Sequence, residues 1–563
     1  MASLTPASAP ADNDNSNAFI TLTKAETVGH VEDMEEEMGE KELRQQLIMD
    51  ARDATQEEMA MGPWASLKLY RKAVMWSFIF SCSVLMDGFD SGLLSAFIAF
   101  PAFQKKFGKP TGDGTYQLTA PWQLGLSNGA KVGMIIGLFF AGFFTERFGC
   151  RWTMIVGHTL MICFIFIPFF AGNIQTLLAG EILQGIPWGI FQTLTTQYAC
   201  EVAPIELRYY LTTWTNAQWL FGDLLSTGSL RGFLQVKSQW AYRGAFALQW
   251  FFPLPILACC FFAPESPWWL VRKDRAEDAV KAVKRLIHTS DAGDETARKT
   301  VQMMVHTVAL ERKGRSGNGR FLDMFKKENI RRTEITCVTW MVQSLCGAGL
   351  LNYGVYFFEQ AGLSTEDSFD MQIGLDCMGL LGTLVAWFTM KWFGRRGLFL
   401  GSLWIMVLMF CIIGFMGIPP STNKGASWAA GALLIFSKFI FDSGVGPVVY
   451  SLVSEIPSAR ERAFTIVFAR ICYNTCQIWV GELISYQLNP TEWHWREFSA
   501  FFWAGSALLC SIWVFFRVPE TKSRSFAELD TLFAKKIPAR QFSKTEVDPF
   551  DQDVNMDGVH FIH

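Results

Sequence analysis

The chain has 563 residues, half of them hydrophobic and 15% aromatic, with a formal charge of −3 and a positive mean hydropathy. Soluble domains do not have this composition, and the apolar residues fall in blocks of about 20, the length that spans a bilayer as a helix. A slightly acidic chain without a basic patch and interleaved aromatics has no nucleic-acid partner; its expected surroundings are the lipid bilayer.

Residues 1–60 are polar and acidic (VEDMEEEMGEKELRQQ) and have no apolar signal-peptide core, so no cleaved leader is expected. The acidic run at 32–42 reads as a solvated tail. The first span, Val74 to Phe100, holds two carboxylates, Asp87 and Asp90, near its middle. A charged Asp at the centre of a membrane helix costs about 2.5–3.5 kcal/mol. At i and i+3 the two acids share a helical face, which must therefore look at protein or at a water-filled cavity. Next comes a polar loop, PAFQKKFGKPTGDGTYQLTAPW, whose Gly and Pro predict irregular structure. Span two (122–144) carries Gly129, Gly133, Gly137 and Gly142, small residues that permit close helix contact. A tight turn, TERFGCRW, leads to span three, which ends near Ala171.

Span four (174–202) carries Glu181 and a polar stripe of Gln192, Thr195, Thr196 and Gln197, and span five (209–230) holds Asn216, Gln218 and Asp223. Span six ends in APESPWWL. A charged segment, 264–334, has helical periodicity in DRAEDAVKAVKRLI (274–287). Spans seven to twelve are predicted at 335–358, 370–392, 397–418, 428–453, 464–488 and 495–517. The expected organisation is a tail (1–70), a six-helix half (71–263), a helical linker (264–334), a second six-helix half (335–517) and a C-terminal tail (518–563). Lys and Arg concentrate in the linker and in the turns at 145–151 and 391–396. The positive-inside rule then places the linker and both tails in the cytosol.

Three signals recur at matched places. TERFGCR after span two corresponds to MKWFGRRG after span eight. EVAPIELR corresponds to EIPSARER, each setting Glu and Arg seven residues apart. PESP after span six corresponds to VPETKS after span twelve. Such a repeat predicts an all-α membrane protein of twelve helices in two pseudo-symmetric halves that rock around a central site. No Walker sequence, no GxGxxG after a strand and no nucleophile–base set is present, so neither an enzyme nor a cofactor is indicated. The thirteen Cys and seven His show no metal-ligand spacing, and no repeated channel filter occurs.

These motifs resemble the major facilitator superfamily and, within it, the sugar porter family, over about residues 70–530. GFDSGLLSAFIAFPAFQKKFG, GEILQGIPWGIFQTLTTQYACEVAP, QSLCGAGLLNYGVYFFEQAG, VGPVVYSLVSEIPSARER and FAELDTLF look more narrowly like the fungal maltose and other α-glucoside permeases. The resemblance implies a monomeric, proton-coupled disaccharide importer of the plasma membrane, with a sugar and a proton as its ligands. It implies sugar contacts at Gln343, Ser344 and Tyr353 in span seven and Asn216 and Asp223 in span five; Asn352 is added as a further amide on span seven. Ser344, Gly349 and Asp223 stand where the wider family usually has Gln, Asn and Gln; the smaller side chains at Ser344 and Gly349 leave room for a second hexose ring, while Asp223 adds an acid to the polar contacts of span five.

For the proton, the resemblance implies Asp90, supported by Asp87, with Glu181 and Arg470 in spans four and eleven. Burial favours a protonated acid and an approaching Arg an ionised one, so helix movement can load and release the proton. The G-E-x-x-G of the α-glucoside permeases is here Gly133-Met134-Ile135-Ile136-Gly137, which lacks the acid and has Lys131 nearby. Glu146, Arg147, Arg151, Glu201, Arg208, Arg395, Arg396, Glu455 and Arg462 are the expected gate, pairs that hold the halves together on the cytosolic side. Two other readings stay open: an uncoupled sugar facilitator, and a sugar sensor that keeps the fold but does not transport.

Overall fold

The computed structural model describes residues 61–545, except loop stretches at 111–115, 237, 289–292, 314–323, 327–328, 361–362, 419–423 and 458–461 and a few single positions between 490 and 525. The acidic run at 32–42 and the end of the C-terminal tail lie outside the described residues.

Twelve spans run through the molecule. Span one is Arg71–Phe97. Spans two and three form one continuous helical stretch, Ala120–Phe169, broken at Gly149, whose φ of 86° only glycine adopts without strain. Span four is Ile174–Val202, capped by Asn173, which accepts from Thr176 N at 2.8 Å. Span five is Ile205–Phe233, and span six runs from Trp240–Leu248 through a short 3₁₀ turn to Pro253–Phe262. Span seven is interrupted, Ile330–Leu345, Ala348–Asn352 and Gly354–Gln360, the first break falling at Gly347 with φ 96°. Spans eight and nine share Thr365–Phe415, broken at Gly394 with φ 75°. Span ten is Lys424–Ile440, a π-helical turn Phe441–Val445, and Gly446–Glu455. Spans eleven and twelve are Arg462–Leu488 and Ser499–Arg517.

Among the described residues, six segments are long and apolar enough to cross a membrane by length and hydropathy alone, two of them being the kinked pairs. Span seven falls short because it is broken into short pieces, and spans four, five and eleven are long but carry polar side chains; the polar side chains of all four are buried, Glu181, Gln192, Asn216, Asp223, Gln343, Ser344 and Arg470 among them. The exposed faces show the complementary pattern. Phe139, Phe143, Phe388, Leu408, Phe262 and Leu509 are open at the surface, as a helix facing lipid requires.

Spans two and four cross closely. A Cβ on Gly133 or Gly137 would run into the backbone of Ile182 or Ile186, so these glycines set the helix separation; Gly142, expected to do the same, faces open space. The loop after span one is more regular than its composition predicts, with a short helix, Pro101–Phe107, and a two-residue strand pair, Lys109–Pro110 with Tyr116–Gln117. Pro101 at the first helical position starts that turn. The linker holds helices Pro267–Arg272, Ala276–Leu286 and Gly293–Lys313. Ala279, Val283 and Leu286 pack with Val301 and Met304 in one buried cluster, and His288 N bonds Leu69 O at 2.9 Å.

Candidate functional site

At the linker end the two halves repeat one construction. Glu265, after span six, accepts from Cys150 N at 2.8 Å and from Arg151 N at 3.2 Å, the amides released by the break at Gly149. Glu520, after span twelve, accepts from Arg395 N at 2.9 Å and Arg396 N at 3.1 Å beyond Gly394. Each carboxylate thus caps the helix that restarts after a glycine, at the positive end of its dipole. A Cβ on either glycine would meet this carboxylate at 2.5 Å. Arg151 and Arg396 fold back on the carbonyls of Phe261 and Phe515 at 2.5 and 2.8 Å. PESP and PETK contain these two acids, so the signal was in the sequence, but the gate set lacked them.

The predicted gate pairs take a different arrangement from the one expected. Glu201 pairs with Arg272 of the linker at 2.6 Å and accepts from Ser266, while Glu455 pairs with Arg395 at 3.1 Å and accepts from Thr521. Neither pair joins the two halves: the first ties the first half to the linker, and the second lies within the second half. Arg208 Nε donates to Ala203 O at 3.4 Å and Glu146 O accepts from Trp269 Nε1 at 3.1 Å. Arg147 is brought to neither pair, and the side chain of Arg462 lies outside the described residues. Among the described residues, aromatic side chains join the halves at this end. Trp387 of span eight donates to Thr213 at 2.7 Å and packs on Tyr210 and Trp214, and Arg395 lies 5.7 Å over the Tyr209 ring. At the other end Arg231 bonds Asp370 at 2.8 Å and Glu366 at 3.5 Å, and Phe100 meets Phe369 edge-on. The halves touch at both mouths.

Between them, Asp87 accepts from Gln192 Nε2 at 2.7 Å, and Gln192 Oε1 accepts from Arg470 Nε at 2.8 Å. One amide therefore joins a carboxylate of span one to a guanidinium of span eleven, across the two halves. Arg470 lies 4.2 Å over Trp340 and 4.6 Å over Tyr473, which hold its plane. Met134 Sδ sits 3.6 Å from the same Gln192 amide. Lys131 bonds Gln477 O at 3.4 Å and interacts with Asp87. Asp90, one turn along span one, turns away from this chain. It accepts from Gln249 of span six and faces the Glu181 carboxyl, within hydrogen-bonding reach of it.

The predicted sugar residues divide into two groups. Asp223, Asn352 and Tyr353 line one narrow cleft with Gly92, Ser95, Thr227 and Gln372. Gln343 is outside this cleft; its Nε2 donates to Gly446 O at 3.2 Å, beside the π-turn, and its Oε1 is buried without a partner, as is Ser344 Oγ. Asn216 spans the halves, bonding Thr383 and Asp442 at 3.3 Å each. Sequence reasoning missed Asp376, Lys438 and Asp442, which are buried beside Asp223. Their signal, charges inside predicted spans eight and ten, was available.

The sugar (and other) transporter family matches residues 76–533. The chain is 40% identical over 504 residues to the general alpha-glucoside permease of Saccharomyces cerevisiae (strain ATCC 204508 / S288c), covering 89% of this chain and 82% of that one. It is 39% identical over 513 residues to maltose permease MAL31 of the same strain, 90% and 83% covered. Among solved structures it is similar to the proton:xylose symporter XylE bound to 6-bromo-6-deoxy-D-glucose, with TM-score 0.69, 21% identity and 82% and 100% of the two chains covered. It is also similar to the inward-open xylose transporter XylE from E. coli, with TM-score 0.63, 20% identity and 81% and 98% covered. The protein is an all-α, multi-pass sugar transporter with the major facilitator fold, and it belongs to the sugar (and other) transporter family.

Proposed function

We propose that the protein imports an α-glucoside disaccharide such as maltose together with a proton, by alternating access across the plasma membrane. The observation that carries this reading is the Asp87–Gln192–Arg470 chain, which ties a buried acid of one half to a cation of the other. Separation of the halves breaks it, so the charge on Asp87 and the position of the halves are linked. Asp90 is the proton carrier. It faces Glu181 and Gln249, and two acids so buried cannot both stay charged at tolerable cost.

The sugar sits in and below the cleft, with Asp223, Asn352 and Tyr353 at its upper wall and Gln343, Ser344 and Asn216 below. The wall supplies hydroxyl donors and acceptors together with an aromatic face, as a sugar requires. The linker and both tails are cytosolic, and the transporter acts as a monomer. Glu146, Arg147, Arg151, Glu201, Arg208, Arg395, Arg396, Glu455 and Arg462 form the cytosolic gate, which acts by bracing each half so that it moves as one body.

An uncoupled facilitator is the second reading, favoured by Met134, an uncharged side chain placed against the Gln192 amide. Uptake of labelled maltose in a transporter-null yeast, with the pH of an unbuffered medium followed, separates the two. Symport predicts alkalinisation on maltose addition and accumulation above the outside concentration. Uptake that stops at equal concentrations without a pH change supports the facilitator, and no uptake of any α-glucoside overturns both for this substrate class.

A further inference from the structure

Lys438 of span ten is 2% exposed and lies 3.4 Å from Asp442, one turn on, which is as deeply buried. Asp223 of span five interacts with both Lys438 and Asp442, and Asp376 of span eight with Asp223 and Lys438. Three carboxylates thus surround one ammonium. Asp223 belongs to the first half, while the other three groups belong to the second. Bonds across the boundary tie them: Thr227 Oγ1 to Asp376 Oδ2 at 3.2 Å, and Asn216 Nδ2 to Asp442 Oδ1 at 3.3 Å. The remaining titratable neighbours are Cys346 and Tyr450, which face Asp442, and Cys377, beside Asp376. None of them adds a second cation.

With all acids ionised, the cluster would bury two uncompensated negative charges, a cost that proteins avoid by protonation. A second feature points to a bound proton. Gln372 is 4% exposed and donates to Asp376 at 2.8 Å, while its Oε1 is buried against Gly354 without a donor; Asp442 Oδ2, inside the cluster and 3.4 Å from Lys438, has no hydrogen-bond partner either. A buried carboxylate oxygen left bare in this way is satisfied when the carboxyl carries O–H.

We propose that Asp223, Asp376 and Asp442, gathered around Lys438, form a second proton-binding site between the two halves, separate from the Asp87–Gln192–Arg470 chain. A carboxylate takes its proton from the water that enters when the cleft opens, and holds it while the cleft is shut. Closing is therefore favoured by acid on the side to which the cleft opens, with or without sugar.

The test uses the full chain in nanodiscs without sugar, so it does not depend on the substrate being an α-glucoside. Ser95 lines the cleft; labelling of the Ser95→Cys thiol, read by peptide mass spectrometry against the native cysteines, reports opening. The thiol's own ionisation gives the same slope in every variant. If opening releases one proton, the parent protein shows an additional rise of about tenfold per pH unit across the transition. To silence the carrier of span one, the comparison is made in Asp90→Asn: the additional rise should persist in Asp90→Asn alone and vanish when Asp376→Asn/Asp442→Asn is added to it. Its persistence with the double substitution, or its loss in Asp90→Asn alone, overturns the proposal. Should the double variant fail to fold, Asp376→Glu, which keeps an acid but moves it, should shift the midpoint of the transition; an unshifted midpoint overturns it equally.

Discussion

Arg470 donates from Nε to Gln192 Oε1 at 2.8 Å, and through that one amide it is linked to Asp87. The planar guanidinium also stacks over Trp340, so position and charge are held together. Lysine keeps the charge but neither the fork nor the stacking plane. Arg470→Lys should leave the amount of protein at the membrane near normal and lower uptake by about ten- to a hundredfold, the loss of one charge-assisted hydrogen bond of about 1.5–3 kcal/mol. Uptake normalised to surface protein measures this; an unchanged rate would mean that the guanidinium is structural filling.

Glu265 and Glu520 predict a different phenotype, in stability rather than transport chemistry. Truncating either to Ala strips the acceptor from two or more backbone N–H groups at a helix start, at a cost of about 1–3 kcal/mol. Glu520→Gln keeps an acceptor oxygen and should lose about half as much. Thermal unfolding followed by size-exclusion chromatography should order the proteins parent, Gln, Ala. Gly394→Ala should fall with the Ala variant, since it places a Cβ against that carboxylate at a φ of 75°.

The fold was legible because membrane physics leaves few options. Span four is predicted at 174–202 and observed at Ile174–Val202, and the linker helix predicted within 274–287 is Ala276–Leu286. The breaks in span seven were not legible. Gly347 looks like any membrane glycine until Phe410 and Trp503 are packed against it. Asp87 and Asp90 share a face, as the i, i+3 spacing required, but the 60° between them sends one to Gln192 and the other to Gln249. Periodicity cannot distinguish these partners, because they come from spans four and six. The gate shows the same limit: motif spacing pointed to Glu201 and Glu455 as partners between halves, whereas tertiary packing supplies Glu201 with a partner in the linker and Glu455 with one in its own half.

Gln343 carries the sharpest prediction for the sugar. Its amide nitrogen is used by Gly446 O, leaving Oε1 buried and free to accept from a sugar hydroxyl. Gln343→Ala should raise the half-saturating maltose concentration about five- to a hundredfold, equivalent to about 1–3 kcal/mol, with a smaller change in maximal rate. Equal concentration dependence in the two proteins would assign Gln343 to holding the π-turn alone.

Coupling returns the argument to span one. If Asp90 must be neutral for the loaded carrier to turn, acid outside raises the competent fraction, so uptake should rise as external pH falls. Asp90→Asn fixes the neutral form and removes the cost of burying a charge, which is what makes coupling obligatory. Its uptake should lose the dependence on external pH, and sugar inside should stop at the outside concentration, while exchange of labelled for unlabelled sugar survives. Glu181→Gln should produce a milder form of the same loss, since Asp90 keeps Gln249 but loses the acid it faces. The converse variant is Met134→Glu, which sets a carboxyl where Sδ now lies 3.6 Å from the Gln192 amide. With Lys131 and Arg470 both near Asp87, that acid has cations within reach and should steepen the pH dependence. Accumulation by Asp90→Asn against a gradient, with the parent's pH profile, would remove Asp90 from the proton path and leave Asp87 to carry it.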